Sequence, residues 1–332
     1  MLRRIGKCLL KLFPMFIPIL LIIIGLTILI IGGESLVKGA ASLAKKMGVA
    51  PLVIGLTVVA FGTSAPELIV NIISVLKNTP DIAIGNIVGS NIANIMLILG
   101  ISTAIYPLTV QKSTVWKEIP FALLAGVLIF IMANDKILDG NAANALTRTD
   151  GLTLLAIFII FFYYIFGLAK TQGNGETKVQ EYSWPKSLLF TGSGLVLLFI
   201  GGKLLVDNAI ILARLAGLSE AFIGLTIVAV GTSLPELITS IIAAIHHHDD
   251  IAVGNVVGSN IFNVFWILGL SATIKNLPVG SGANTDFLVN IIATLLLFAF
   301  MFISTRHKLN RWQGILFILL YVVYLGYLIQ RG

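Results

Sequence analysis

Long apolar runs, interrupted by short polar stretches, fill almost the whole chain. About ten of them reach or approach the length needed to cross a hydrocarbon core ~30 Å thick. They cover residues 14–36, 51–76, 82–106, 119–134, 151–169, 187–212, 221–245, 251–274, 287–304 and 312–329, the fourth being short for a span. Backbone groups in lipid have no water to bond, so each run is expected to be a helix. The alternating pattern of a barrel strand does not occur. Polar residues inside the runs follow a repeat. Gly62-Thr63-Ser64-Ala65-Pro66-Glu67 returns as Gly231-Thr232-Ser233-Leu234-Pro235-Glu236, an offset of 169 residues (236 − 67). The same offset carries Gly85-Asn86 onto Gly254-Asn255, and Gly89-Ser90-Asn91-Ile92-x-Asn94 onto Gly258-Ser259-Asn260-Ile261-x-Asn263. Residues 25–100 and 194–269 align without a gap and agree at about half of their positions. Transporters are often built from such duplicated units.

Composition points the same way. The chain is 57% hydrophobic and 11% charged, against roughly 25% charged in soluble domains. An all-α integral membrane protein follows. The most polar stretch divides it into a first repeat at residues 1–170, a linker at 171–186 and a second repeat at 187–332. Five spans on either side make the second repeat enter the membrane from the opposite face, so the repeats are inverted about an axis in the membrane plane. The net charge of +7 comes from basic residues at span ends, where they anchor to headgroups, so membrane lipid is the expected partner and nucleic acid is not. Lysines and arginines divide almost evenly between the two sides, and the positive-inside rule gives no orientation. A basic leader with Arg3, Arg4, Lys7 and Lys11 runs into the first apolar segment without a small-residue cleavage site, and reads as part of that span. The single cysteine, Cys8, excludes a disulfide framework or a paired-cysteine metal site.

The repeated motifs carry the chemistry. A carboxylate deep in an apolar run is expensive, so Glu67 and Glu236 at matched places read as functional. Proline removes an amide donor, so Pro66 frees the carbonyl of Gly62 and Pro235 that of Gly231. Thr63 and Ser64 lie four and three residues before Glu67, so hydroxyls and carboxylate share a helix face. Asn86, Ser90 and Asn94 recur every four residues, as do Asn255, Ser259 and Asn263. The Gly-x-x-x-Gly pairs, Gly85 with Gly89 and Gly254 with Gly258, allow close helix approach. Hydroxyl, carbonyl and carboxylate are hard donors suited to Na⁺ and Ca²⁺, and Ca²⁺ takes about 6–8 oxygens.

These two motifs, Gly-Thr-Ser-x-Pro-Glu and Gly-Asn-x-x-Gly-Ser-Asn-Ile-x-Asn, each present twice, resemble the alpha repeats of the sodium/calcium exchanger branch of the calcium/cation antiporter superfamily. The length and short linker are similar to its compact prokaryotic members. The resemblance implies a ten-helix inverted-repeat antiporter with four central cation sites in a prokaryotic cytoplasmic membrane. It works there by alternating access as the first and sixth helices slide. It also implies a ligand set: the carbonyl of Ala60 with Thr63, Ser64, Glu67, Ser90 and Asn94, and the carbonyl of Ala229 with Thr232, Ser233, Glu236, Ser259 and Asn263. The transported ions would be Na⁺ and Ca²⁺, with no cofactor and no obligate protein partner, a monomer being sufficient. Several family members carry aspartate at the position of Asn263. With two carboxylates, three Na⁺ would leave the site one charge positive, so a three-to-one stoichiometry is an expectation from the family alone. The absence of a further acidic group disfavours a K⁺-coupled variant.

Other readings compete. A proton-coupled Ca²⁺ antiporter would use a glutamate to carry H⁺, and a cation channel would need no counter-ion. His246-His247-His248-Asp249-Asp250 has metal-binding residue types, but consecutive histidines on a short loop diverge, and a solvated loop is expected. Asp81 and Asp250 match between repeats and are expected to cap the next helix. Thr191-Gly192-Ser193-Gly194 superficially resembles a nucleophile turn, but no supporting histidine and carboxylate recur, and a packing cluster is expected. No nucleotide-binding loop is present, so ion gradients rather than ATP would drive transport, and no enzyme is expected. Glu34, Lys38, Lys203 and Asp207 lie near the ends of the first and sixth spans, as snorkelling residues or the lining of an access path.

Overall fold

A computed structural model describes residues 2–138, 140, 143–171, 180–215, 229–280, 282–303 and 305–331, with 2–14, 170, 171 and 229 described as backbone alone. The described chain is almost entirely helical: α1 Leu2–Met47, α2 Pro51–Thr63, α3 Ala65–Leu76, α4 Pro80–Ile105, α5 Lys112–Met132, α6 Arg148–Thr171, α7 Trp184–Leu215, α8 Ala229–Thr232, α9 Leu234–Ile245, α10 Asp249–Ile274, α11 Ala283–Phe300 and α12 Arg311–Arg331. Eight of these are long and apolar enough to cross a membrane, and α2 with α3 forms a ninth span bent by 45°. The run expected at 221–245 begins in residues 221–228, which lie outside the described residues, as do linker residues 172–179. Its described part is α8 and α9. The short run at 119–134 becomes a helix of 21 residues because α5 starts at Lys112, which gives it about 31 Å of length at 1.5 Å per residue.

Burial runs opposite to that of a soluble bundle. Ile160, Tyr163 and Val323 are 62%, 81% and 70% exposed on the outer helices, where lipid would cover them. By contrast α10, which carries the second polar motif, is almost entirely buried. It packs through Gly254 and Gly258 against α2: a Cβ at Gly254 would lie 3.2 Å from Gly55 Cα, and one at Gly258 2.8 Å from the Ala60 side chain. This glycine pair thus allows the close approach its spacing predicts, whereas a Cβ at Gly85 or Gly89 would meet nothing within 4 Å among the described residues.

Two reciprocal ribbons stitch the repeats together. Leu108 and Thr109 after α4 pair antiparallel with Leu309 and Lys308 before α12. Ala145 and Leu146 before α6 pair with Pro278 and Leu277 after α10. Each repeat therefore lends the strand after its third span to the strand before the other repeat's last span. This places the end of α4 and the start of α12 on one side of the bundle, as an inverted repeat requires.

The long helices α1 and α7 pack chiefly against each other. Their contact is made by glycines seven residues apart, Gly25 and Gly32 on α1 facing Gly201 and Gly194 on α7. Ser35 Oγ donates to the Phe190 carbonyl at 2.9 Å, and Ser42 meets Ser187 at 2.8 Å. The Thr191–Gly194 stretch is therefore a packing cluster. A Cβ on Gly194 would lie 2.5 Å from the Leu36 amide nitrogen. Gly194→Ala should cost about 1–3 kcal/mol through overpacking, read as a lowered melting temperature of the detergent-purified protein. An unchanged melting temperature would mean that the two helices are not in this contact.

Candidate cation site

Both helix breaks come just before a proline. Ser64 leaves helical geometry (φ −81, ψ 8) and α3 begins at Ala65; Ser233 (φ −90, ψ 9) precedes α9 in the same way. Pro66 and Pro235 then sit in a first turn, where a missing amide hydrogen costs no helical bond. Glu67 and Glu236 fall in those same first turns, where the positive end of the helix dipole favours a carboxylate.

Ser64-Ala65-Pro66-Glu67 has the form of a capping box, yet neither serine caps its own helix. Ser64 Oγ donates instead to Glu236 Oε1 at 3.0 Å, and Ser233 Oγ donates to Glu67 Oε1 at 3.2 Å. Ser90 and Ser259 donate to the same oxygens within their own repeats, each at 3.4 Å. Every Oε1 is thus held by one hydroxyl from each repeat. Both Oε2 atoms are buried and accept no hydrogen bond among the described residues. The Oδ1 atoms of Asn94 and Asn263 are in the same condition.

The asparagines divide into two groups. Asn86 Nδ2 donates to the Glu67 carbonyl at 3.3 Å and to Asn71 Oδ1 at 2.8 Å. Asn255 Nδ2 reaches the Glu236 carbonyl at 3.2 Å and Ser240 Oγ at 2.9 Å, while its Oδ1 accepts from Thr63 Oγ1 at 3.0 Å. These two therefore brace the backbone that carries the glutamates. Asn94 and Asn263 begin segments of wider π winding, Ala93–Leu99 and Phe262–Leu268, a distortion frequent at functional sites.

Thr63, Ser64, Glu67, Ser90, Asn94, Ser233, Glu236, Ser259 and Asn263 are each at most 3% exposed. Thr232 is only half-buried and borders a cavity shared with Pro66, Pro235, Lys203 and Asp207. The Ala60 carbonyl accepts the Ser64 amide at 3.0 Å and the Thr63 hydroxyl at 3.3 Å. Ala229 opens α8, and only its backbone is described. Asn91 and Asn260 also stand in the repeated motif, and spacing along the helix gives them no role. Their recurrence in both repeats was the available signal.

Among the described residues, the histidine loop included, no group of three or more His, Cys, Asp or Glu side chains is poised for a metal. His246 Nε2 meets Glu34 Oε1 at 2.8 Å, while His247, left-handed at φ 59, packs on Tyr106 with ring centroids 4.4 Å apart and planes tilted by 55°. Burial and the charge of neighbouring His246 hold the His248 imidazole below its ordinary value. The expected capping by Asp81 and Asp250 is not found. Thr79 and His248 occupy the cap positions without side-chain cap bonds, and Asp250 instead accepts from Gln111 Nε2 at 2.6 Å.

The sequence profile described as sodium/calcium exchanger protein matches residues 17–167 and 186–330, one match to each repeat. The chain belongs to the sodium/calcium exchanger family. The sodium/calcium exchanger MaX1 of Methanosarcina acetivorans is 33% identical over 314 residues, covering 85% of this chain and 89% of its own. Inner membrane protein YrbG of Escherichia coli is 34% identical over 319 residues, covering 93% and 95%. Among solved structures, the sodium-calcium exchanger NCX_Mj soaked with 2.5 mM Na⁺ and 10 mM Sr²⁺ matches with a TM-score of 0.81 and 34% identity, over 94% of this chain and 99% of that one. With its apolar helices and these relatives, this member of the family is a multi-pass membrane protein of prokaryotic type.

Asn255 makes three of the bonds around Glu236 and Thr63. Asn255→Ala leaves the Glu236 carbonyl without that donor, a loss of about 1–3 kcal/mol for a buried group. The expected readout is a lower melting temperature in ion-free buffer. A variant as stable as the parent would remove Asn255 as a brace.

Proposed function

We propose that the chain is a secondary antiporter exchanging Na⁺ for Ca²⁺ by alternating access, with Glu67 and Glu236 as the shared central ligands. The carrying observation is that four oxygens of the repeated motifs, Glu67 Oε2, Glu236 Oε2, Asn94 Oδ1 and Asn263 Oδ1, are buried without a donor among the described residues. All are hard donors, and the hydroxyls of Thr63, Ser64, Ser90, Thr232, Ser233 and Ser259, with the carbonyls of Ala60 and Ala229, complete a shell for cations that prefer oxygen. One Ca²⁺ balances two carboxylates. Because both ions need the same two glutamates, Na⁺ and Ca²⁺ displace each other. An empty site leaves two bare carboxylates that resist burial, so the protein changes face loaded rather than empty.

The unit that moves is α1 with α7, which pack chiefly on each other. Lys203 and Asp207 on α7 line the cavity of about 220 Å³ that reaches Thr232, and we assign it to the access path. Residues 1–170 and 187–332 act as the two repeats, joined by the linker at 171–186, and the paired profile matches are in keeping with this. One chain supplies both halves of the site, so a monomer suffices, and the product of turnover is a moved ion rather than a new bond.

In liposomes, Ca²⁺ uptake should require an outward Na⁺ gradient and fail with a pH gradient alone. Uptake driven by protons in Na⁺-free buffer would make the glutamates proton carriers, and currents persisting without a counter-ion gradient would make the protein a channel. Glu67→Gln and Glu236→Gln should each abolish exchange; near-normal exchange in both would remove the proposed site. Binding also stabilises. Ca²⁺ at one hundred times its dissociation constant should add about 2.7 kcal/mol to the parent and nothing to Glu67→Gln, measured as thermal shifts.

A further inference from the structure

Asn91 and Asn260 are equivalent residues (260 − 91 = 169), each 2% exposed, where α4 and α10 meet. Asn91 Nδ2 donates to the Asn260 backbone carbonyl at 3.2 Å, and Asn260 Nδ2 donates to the Asn91 carbonyl at 3.2 Å. A backbone carbonyl can only accept, so both amide nitrogens are committed and the polarity of both side chains is set. Their Oδ1 atoms must therefore receive. Asn91 Oδ1 accepts from Asn263 Nδ2, and Asn260 Oδ1 accepts from Asn94 Nδ2, each at 2.9 Å.

The polarity is passed on. With its nitrogen held by the opposite repeat, each of Asn94 and Asn263 turns its Oδ1 the other way, and those two buried oxygens accept no hydrogen bond among the described residues. A carboxamide released from this hold can turn over and offer NH₂ in place of oxygen. That group repels a cation and hydrogen-bonds a carboxylate in its stead.

We infer that Asn91 and Asn260 are positioning residues of the cation site, each fixing the ion-facing oxygen of the ligand asparagine in the opposite repeat. This rests on the reading of Asn94 and Asn263 as ligands. It makes the affinity of each half of the site depend on a side chain from the other half.

The test is Ca²⁺ binding to the purified full-length protein by calorimetry, with Asn91→Leu, Asn263→Ala and the two combined. Losing a partner that orients a metal ligand typically weakens binding about 10–100-fold. Asn91→Leu should show a loss in that range, and the double variant should bind no more weakly than Asn263→Ala alone, because Asn91 acts through Asn263. The losses from Asn91→Leu and Asn94→Ala should instead multiply. A residue that merely packs α4 against α10 would lower the melting temperature, leave the affinity of the folded protein unchanged and show no such coupling, which would overturn the inference. Asn91→Ala replaces the leucine in the same cycle if Asn91→Leu does not accumulate as folded protein. Parent affinity in Asn263→Ala would remove the ligand reading and the positioning role with it. Loss in Asn263→Ala without loss in Asn91→Leu would remove the positioning role alone.

Discussion

Two carboxylates, each 1% exposed, sit side by side in a bundle built for lipid. Burying one such charge without compensation costs roughly several kcal/mol, and a like charge beside it adds to the cost. Much of the polar architecture is a response to this constraint. The helices break so that each glutamate meets the positive end of a new helix rather than the middle of an old one. Serines that could cap those helices are turned outward to hold the carboxylates. Even so, among the described residues one oxygen of each carboxylate is left without a donor. The protein compensates part of the cost of burial itself, and on the proposed function a cation would supply the remainder. A site fully satisfied by protein donors would have little reason to bind an ion, and one without tethers would have no fixed geometry.

The tethers cross between the repeats. Ser64 holds Glu236 and Ser233 holds Glu67; Asn91 holds Asn263 and Asn260 holds Asn94. The two ribbons exchange strands in the same sense. Neither repeat supplies all the hydroxyls that hold its own glutamate, so the duplication is more than two copies of a motif placed together. Each half is the scaffold for the other.

Much of this could be read in advance, and what could not has a common cause. The repeat, the helical class and the identity of the polar residues are visible because a fixed offset and long apolar runs are properties of one dimension. Partners are not. Ser64 with Glu67 reads as a local pair, or as a capping box, because spacing along one helix is all that a sequence displays, whereas the actual partner lies 172 residues away. The same limit hid Asn91. The face defined by Asn86, Ser90 and Asn94 excludes it, and its role depends on a backbone carbonyl of the other repeat. The π segments at Asn94 and Asn263 also escape a reading based on 3.6 residues per turn, because there the winding itself changes. Asp81 and Asp250 failed as caps for a related reason: a first-turn position suits an acidic residue electrostatically without requiring a bond to the cap.

How closely the halves match depends on distance from the pseudo-two-fold axis. At the centre, the two glutamates, the serines that hold them and the motif asparagines repeat identically, since a residue that both holds and is held must satisfy the same geometry in both roles; one step away, Asn71 beside Asn86 is answered by Ser240 beside Asn255. Farther out, on α1 and α7, Glu34 with Lys38 corresponds to Lys203 with Asp207. Both are ion pairs at 2.9 Å over one helical turn, but with the signs reversed. These pairs are partly exposed, and a solvated pair of this kind is worth little in stability whichever end is negative. Reversal keeps each pair neutral while changing the sign of the charge at matched positions of the two helices. Two such inversions need not have a separate cause. Only the neutrality of the pair is matched between the repeats; Glu34 has in addition His246 of the other repeat at 2.8 Å, and the order of the charges differs. By the same reasoning Asn78 and His247, both left-handed at the ends of α3 and α9, keep the backbone conformation while the side chain changes. What the inverted repeat holds fixed is the reciprocal bonding around the two carboxylates, and similarity weakens where that bonding ends.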